Sequence, residues 1–80
     1  MSQCPKLVAA LSLNVRAATA ALDAETSTDH LEAARLYGQA GELLAGVDAA
    51  EFPDKARFCL DAQRLQEGCE AEAARLNAGV

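Results

Sequence analysis

Apolar positions recur along this chain with a helical period, in three separate stretches. Val8, Leu11, Val15, Ala18 and Leu22 follow one another at intervals of three and four, which is one face of an α-helix. Leu7 and Ala21 widen that face, and Pro5 suits a first turn, where its missing N–H costs nothing. The spacing predicts a helix over about residues 5–24. The polar run ETSTD then interrupts the pattern. A second stripe, Ala33, Leu36, Tyr37, Ala40, Leu43 and Leu44, predicts a helix over about 29–46. Asp29 is expected to cap it, with Glu32 completing a capping box and Gly46 as the stop. Gly38 and Gly41 lie inside this helix, each at a cost of about 0.8–1 kcal/mol relative to alanine, and they suit the close approach of a neighbouring helix. A third stripe, Phe58, Ala62, Leu65, Cys69, Ala73 and Leu76, predicts a helix over about 53–77, opened by Pro53 and Asp54 and weakest at Gly68.

Three amphipathic helices with short connections predict an all-α, antiparallel three-helix bundle, with residues 1–80 as a single domain. Leu11, Leu22, Leu36, Leu44, Phe58 and Leu65 are the large side chains expected to carry most of the cohesion. Composition sharpens this expectation. Nineteen alanines and eleven leucines stand beside four valines, no isoleucine and no tryptophan, which favours helix over strand. A chain of this mass buries only about 60% of its extended surface, so the core is thin. A deep substrate pocket is hard to build in it.

Charge and chemistry narrow the functional classes. Seven basic against twelve acidic residues give a net charge of −5, which argues against a nucleic-acid backbone as partner. No apolar run reaches the length of a membrane span, and the N-terminal stretch does not read as a signal peptide, so a cytoplasmic protein is expected. Cys4, Cys59 and Cys69 are odd in number, form no CxxC and share the chain with a single histidine. They read as reduced thiols, with Cys59 and Cys69 as small buried hydrophobes, and no metal or cofactor is expected. His30, beside the expected cap, reads as a first-turn residue rather than a general base. The carboxylates are spread along the helices, and no phosphate-binding glycine loop or dinucleotide fingerprint occurs. The expectation is therefore a non-catalytic binding or structural module, with a groove between two helices as the natural place for a peptide.

The stretch DHLEAARLYGQAGELL, residues 29–44, sets Ala33, Tyr37, Ala40 and Leu44 at spacings of four, three and four. It resembles the second helix of the microtubule-interacting and trafficking (MIT) domain. AATAALDAE, residues 17–25, is similar to the end of that family's first helix. RFCLDAQRLQE, residues 57–67, is similar to its third through Phe58, Ala62 and Leu65. The resemblance covers nearly the whole chain and implies an asymmetric, monomeric three-helix bundle without a cofactor. It implies a peptide-binding adaptor that recognises C-terminal tail motifs of ESCRT-III subunits. Such an adaptor takes an attached effector domain to endosomes or the midbody.

In the family, one motif class binds as a helix between the second and third helices, and another binds extended between the first and third. The resemblance places Leu60, Asp61, Gln63, Arg64 and Glu67 near the partner groove. Family members that bind the helical motif often carry an acid and an arginine before the matching alanine. Here Leu60 and Asp61 stand in those places, which suits a more apolar ligand. Two other readings fit the same residues. One is a structural bundle for oligomerisation or scaffolding. The other is a tetratricopeptide-like fragment, whose second half shares the Ala33, Tyr37, Ala40 spacing.

Overall fold

The computed structural model describes residues 4–79. Three α-helices account for most of them: α1 (Pro5–Asp23), α2 (Ser27–Ala45) and α3 (Lys55–Ala78). No strand occurs among the described residues. The helices form an antiparallel three-helix bundle in which α2 is central. It packs along α1 on one side and α3 on the other, while α1 and α3 scarcely touch. The Cα framework measures 51 × 18 × 14 Å, an elongated bundle open between its outer helices.

The antiparallel registers can be read from close approaches. A Cβ on Gly46, at the end of α2, would lie 3.3 Å from Lys6 Nζ at the start of α1. The Lys6 ammonium thus stands at the negative end of the α2 dipole, a favourable placement. On the other side of α2, Gly38 faces Gln66 and Gly41 faces Ala62. Three residues forward on α2 therefore correspond to four back on α3.

The start of α2 is built differently from the sequence expectation. Thr26, not Asp29, is the N-cap: its hydroxyl accepts the Asp29 backbone N–H at 3.1 Å. Asp29 is the third helical residue and completes the capping box, its carboxylate accepting the backbone N–H groups of Thr26 and Glu25 at 3.1 Å each. Glu32 takes no part in the box. It pairs with Arg35 one turn on, as Glu72 does with Arg75 in α3. The free N–H groups of a first turn need an acceptor within three residues, and Thr26 with Asp29 supplies both halves of the exchange. Helix α2 thus opens two residues earlier than its apolar stripe implies.

Helix α3 opens two residues later than expected, at Lys55, because residues 48–54 form turns. The Asp48 carboxylate accepts the Ala50 N–H at 2.9 Å, and its carbonyl accepts the N–H groups of Glu51 and Phe52. Val47 is buried ahead of these turns, and the Phe52 and Phe58 rings meet at 5.1 Å across the entry to α3. Helix α2 ends at Ala45, with Gly46 following in a right-handed conformation, so no left-handed residue is needed there.

The core departs from the expected one in a systematic way. Its buried side chains are Ala10 and Ala17 of α1, Ala33, Ala34, Leu36, Tyr37, Ala40 and Leu44 of α2, Val47, and Ala62, Cys69 and Ala73 of α3. Seven of these twelve are alanines. Leu36 and Leu44 are buried as expected, Phe58 and Cys59 are half-buried, and Leu11, Leu22 and Leu65 are exposed. On α1 the small face carrying Ala10 and Ala17 lies against α2. The stripe of Val8, Leu11, Val15 and Leu22 is turned out, with Val15 65% and Leu22 87% exposed. Alanine faces let two helix backbones approach closely, whereas valine and leucine at the same contacts would hold them apart. The periodicity located the helix correctly and assigned its packing face to the wrong side.

Two outcomes follow. Leu44→Ala should lower the unfolding free energy by about 2–5 kcal/mol, while Leu22→Ala should change it by less than about 0.5 kcal/mol; urea titrations of the two variants separate these values. The N–H groups of Glu25 and Thr26, with the Thr26 hydroxyl, hold the Asp29 carboxyl below its ordinary value. A carboxylate depressed on folding stabilises the fold above about pH 4 and loses that contribution as pH falls through the lowered value. Asp29→Asn should therefore reduce stability at neutral pH and flatten the acid limb of the stability–pH curve, as chemical denaturation at stepped pH would record.

Candidate functional site

The α2/α3 contact has one open side. Beside the buried line of Tyr37, Ala40 and Leu44 against Ala62 and Cys69, the two helices leave a cleft of about 370 Å³. Tyr37, Gly38, Gly41, Glu42 and Ala45 of α2 line it, together with Cys59, Gln63 and Gln66 of α3. The α2 members recur every three or four residues and so form one strip, about 12 Å long from Tyr37 to Ala45.

Two glycines, Gly38 and Gly41, lie along this strip. A Cβ on Gly38 would come within 3.1 Å of the Gln66 amide, and one on Gly41 would touch the Ala62 Cβ at an ordinary 3.7 Å. Neither glycine has a positive φ, so both are helical by conformation and distinguished only by the missing side chain. The Cys59 thiol lies 3.9 Å from the Gly41 carbonyl oxygen, to which it donates, a contact that joins the helices at the cleft floor.

The cleft combines an apolar floor with a polar rim. Tyr37, the glycine backbone and Cys59 form the floor, and Glu42, Ala45, Gln63 and Gln66 the rim. Glutamine amides both donate and accept hydrogen bonds, which suits a peptide's polar groups, and Glu42 places one carboxylate where a cation could meet it. Burial pushes the Tyr37 phenol and the Cys69 thiol up, with Cys69 and Glu70 respectively adding to the shift. Both groups are therefore held in their neutral, protonated forms near neutral pH.

Of the residues that the MIT resemblance places near a partner groove, Gln63 lines this cleft. Leu60, Asp61, Arg64 and Glu67 are exposed on α3 outside it. The cleft also takes in Glu42, Cys59 and Gln66, which the sequence reading did not select as site residues. The signal for Gln66 was its place one helical turn beyond Gln63. It acquires meaning only once Gln66 is opposite Gly38. A second, smaller cleft of about 230 Å³ lies between α1 and α2 and is lined by Ala20, Asp23, Ala24, Asp29 and Glu32. Two of its carboxylates are already occupied, Asp29 by the capping box and Glu32 by Arg35.

Among the described residues no three His, Cys, Asp or Glu side chains gather as a metal would require. None of the helices is long and apolar enough to cross a membrane. The chain matches no protein-family model, no curated protein and no solved structure.

The cleft glycines give a direct prediction. Gly41→Ala should raise stability by about 1 kcal/mol, because alanine is the better helix former and its methyl meets Ala62 at ordinary contact distance. Gly38→Ala should gain less, since the Gln66 amide must move aside. Denaturant midpoints of the two variants test the order.

Proposed function

We propose that this chain is a non-catalytic peptide-docking module whose ligand lies along the α2/α3 cleft. The observation that carries the reading is the glycine-lined strip itself. It is an apolar floor of two helical turns, edged by Gln63, Gln66 and Glu42, on an otherwise well-packed helix pair. One face of an amphipathic helix, with a small apolar side chain over Gly41 and a basic residue toward Glu42, matches that shape and charge.

The resemblance of residues 29–44 to the second helix of MIT domains supplies the ligand class to test first, the C-terminal tails of ESCRT-III subunits. Ala33, Tyr37, Ala40 and Leu44, on which the resemblance rests, are all buried, as positions that hold such a bundle together would be. In this reading the domain confers location rather than chemistry. It would bring an attached effector to endosomes or the midbody through tails of micromolar affinity, where high local concentration substitutes for tight binding.

Nuclear magnetic resonance titration of the labelled chain with a panel of ESCRT-III tail peptides tests the proposal. Shifts should centre on Gly38, Gly41, Glu42 and Gln63. Glu42→Lys should weaken binding by about two- to fivefold, the worth of one rim charge pair. Ala45→Phe, at an exposed position on the cleft edge, should block it. Absence of shifts for every peptide at millimolar concentration would overturn the ligand class, and shifts away from the α2/α3 cleft would overturn the site.

A further inference from the structure

Tyr37 carries a polar group that the fold leaves unused. The residue is 4% exposed and lines the α2/α3 cleft. Among the described residues the only side-chain hydrogen bond joining α2 to α3 is that of the Cys59 thiol to the Gly41 carbonyl, and the Tyr37 hydroxyl has none. No fully enclosed side-chain nitrogen or oxygen among them lacks a partner, so the hydroxyl opens to the surface although its ring is enclosed. Gln66 stands at the same end of the cleft, its amide against Gly38, the residue next to Tyr37. It too makes no hydrogen bond among the described residues. We propose, on the peptide-docking reading of the cleft, that Tyr37 and Gln66 form a polar subsite that takes the side-chain amide of a glutamine or asparagine of the ligand.

The groups on offer select an amide. The Tyr37 phenol is protonated near neutral pH and offers an O–H donor, while the Gln66 amide offers donors and an acceptor. A ligand amide answers both: its carbonyl accepts from the phenol or from the Gln66 N–H, and its own N–H donates to the Gln66 carbonyl oxygen. An apolar side chain in the same place would strip water from both groups and leave them unpaired. An ammonium would use only their acceptor atoms and leave the phenol O–H and the Gln66 N–H without partners. A carboxylate would meet Glu42 in the cleft and Glu70 one turn beyond Gln66, close enough to act on the Cys69 thiol. Arg35, one turn before Gly38, is already held by Glu32 and does not offset them.

Spacing joins this subsite to the charge at the other end of the cleft. Glu42 lies four residues beyond Gly38, which is about 6 Å along α2. On a ligand helix lying along the strip, two residues four apart span the same distance and share one face. The ligand that fits therefore carries a basic residue toward Glu42 and an amide toward Tyr37 and Gln66, one helical turn apart.

Capped alanine-rich helical peptides of about four turns test this. Each carries a lysine in its middle and, four residues before or after it, glutamine, glutamate, leucine or a second lysine. Titrated into the labelled full chain, the glutamine peptide should shift Gly38 and the Gln66 side-chain amide. In one of the two orders it should bind about three- to tenfold tighter than the other three. Tyr37→Phe keeps the ring and should leave the urea midpoint unchanged, because the hydroxyl it removes bonds nothing inside the fold. It should erase most of the glutamine preference, and Gln66→Met should do so from the other side of the subsite. A lowered midpoint for Tyr37→Phe would place the hydroxyl in an internal bond and overturn the proposal. Cleft binding without a glutamine preference, read at Gly41 and Gln63, also overturns it and leaves the peptide-docking reading standing. Absence of cleft shifts with every one of these peptides overturns the subsite, and titration with the ESCRT-III tails then decides the docking reading separately.

Discussion

The structure depends on alanine-faced contact between helix backbones. Ala33 and Ala40 of α2 are wholly enclosed, Ala10 and Ala17 line the adjoining face of α1, and Ala62 and Ala73 line that of α3. An alanine contributes little apolar area of its own, but it lets the neighbouring backbone come near enough for the atoms of both helices to gain dispersion contact. The larger core members, Leu36, Tyr37, Leu44 and Val47, then fill the space that remains. Everything else follows from that arrangement. A central helix with small faces on two flanks takes a helix on each, and two outer helices that do not need each other leave the bundle open between them.

Close approach also explains why large aliphatics stand outside. Val8, Leu11, Val15 and Leu22 could have been a packing face, but the alanine face of α1 offers the shorter distance to α2. Glycine extends the same logic at one place. Gly38 and Gly41 of α2 lie close to Gln66 and Ala62 of α3, and both line the cleft beside that contact.

How much of this was legible in the sequence depended on whether a helix had one candidate face or two. Helix α2 had one, and Ala33, Leu36, Tyr37, Ala40 and Leu44 were read correctly as interior. Helix α1 had two, a small and a large, and hydrophobic periodicity favours the larger. Only the packing distance to a neighbour decides between them, and a single sequence does not carry that distance. The cap of α2 was displaced for a related reason. ETSTD contains several capping residues, and which one caps depends on where the backbone turns into the helix. The cleft was half legible. The glycines announced a close approach and Gln63 was chosen, but the register that sets Gln66 against Gly38 is a property of two helices together.

The two surfaces left by this packing lie on different helices: the cleft uses α2 and α3, and the stripe uses α1. A core made mostly of alanine leaves no room between the helices for a deep pocket, so what the packing leaves open is a shallow groove. A groove of this size supports only modest affinity in a single copy. For the peptide-docking role proposed above, an attached effector therefore gains most where tails are clustered, since local concentration then replaces tight binding.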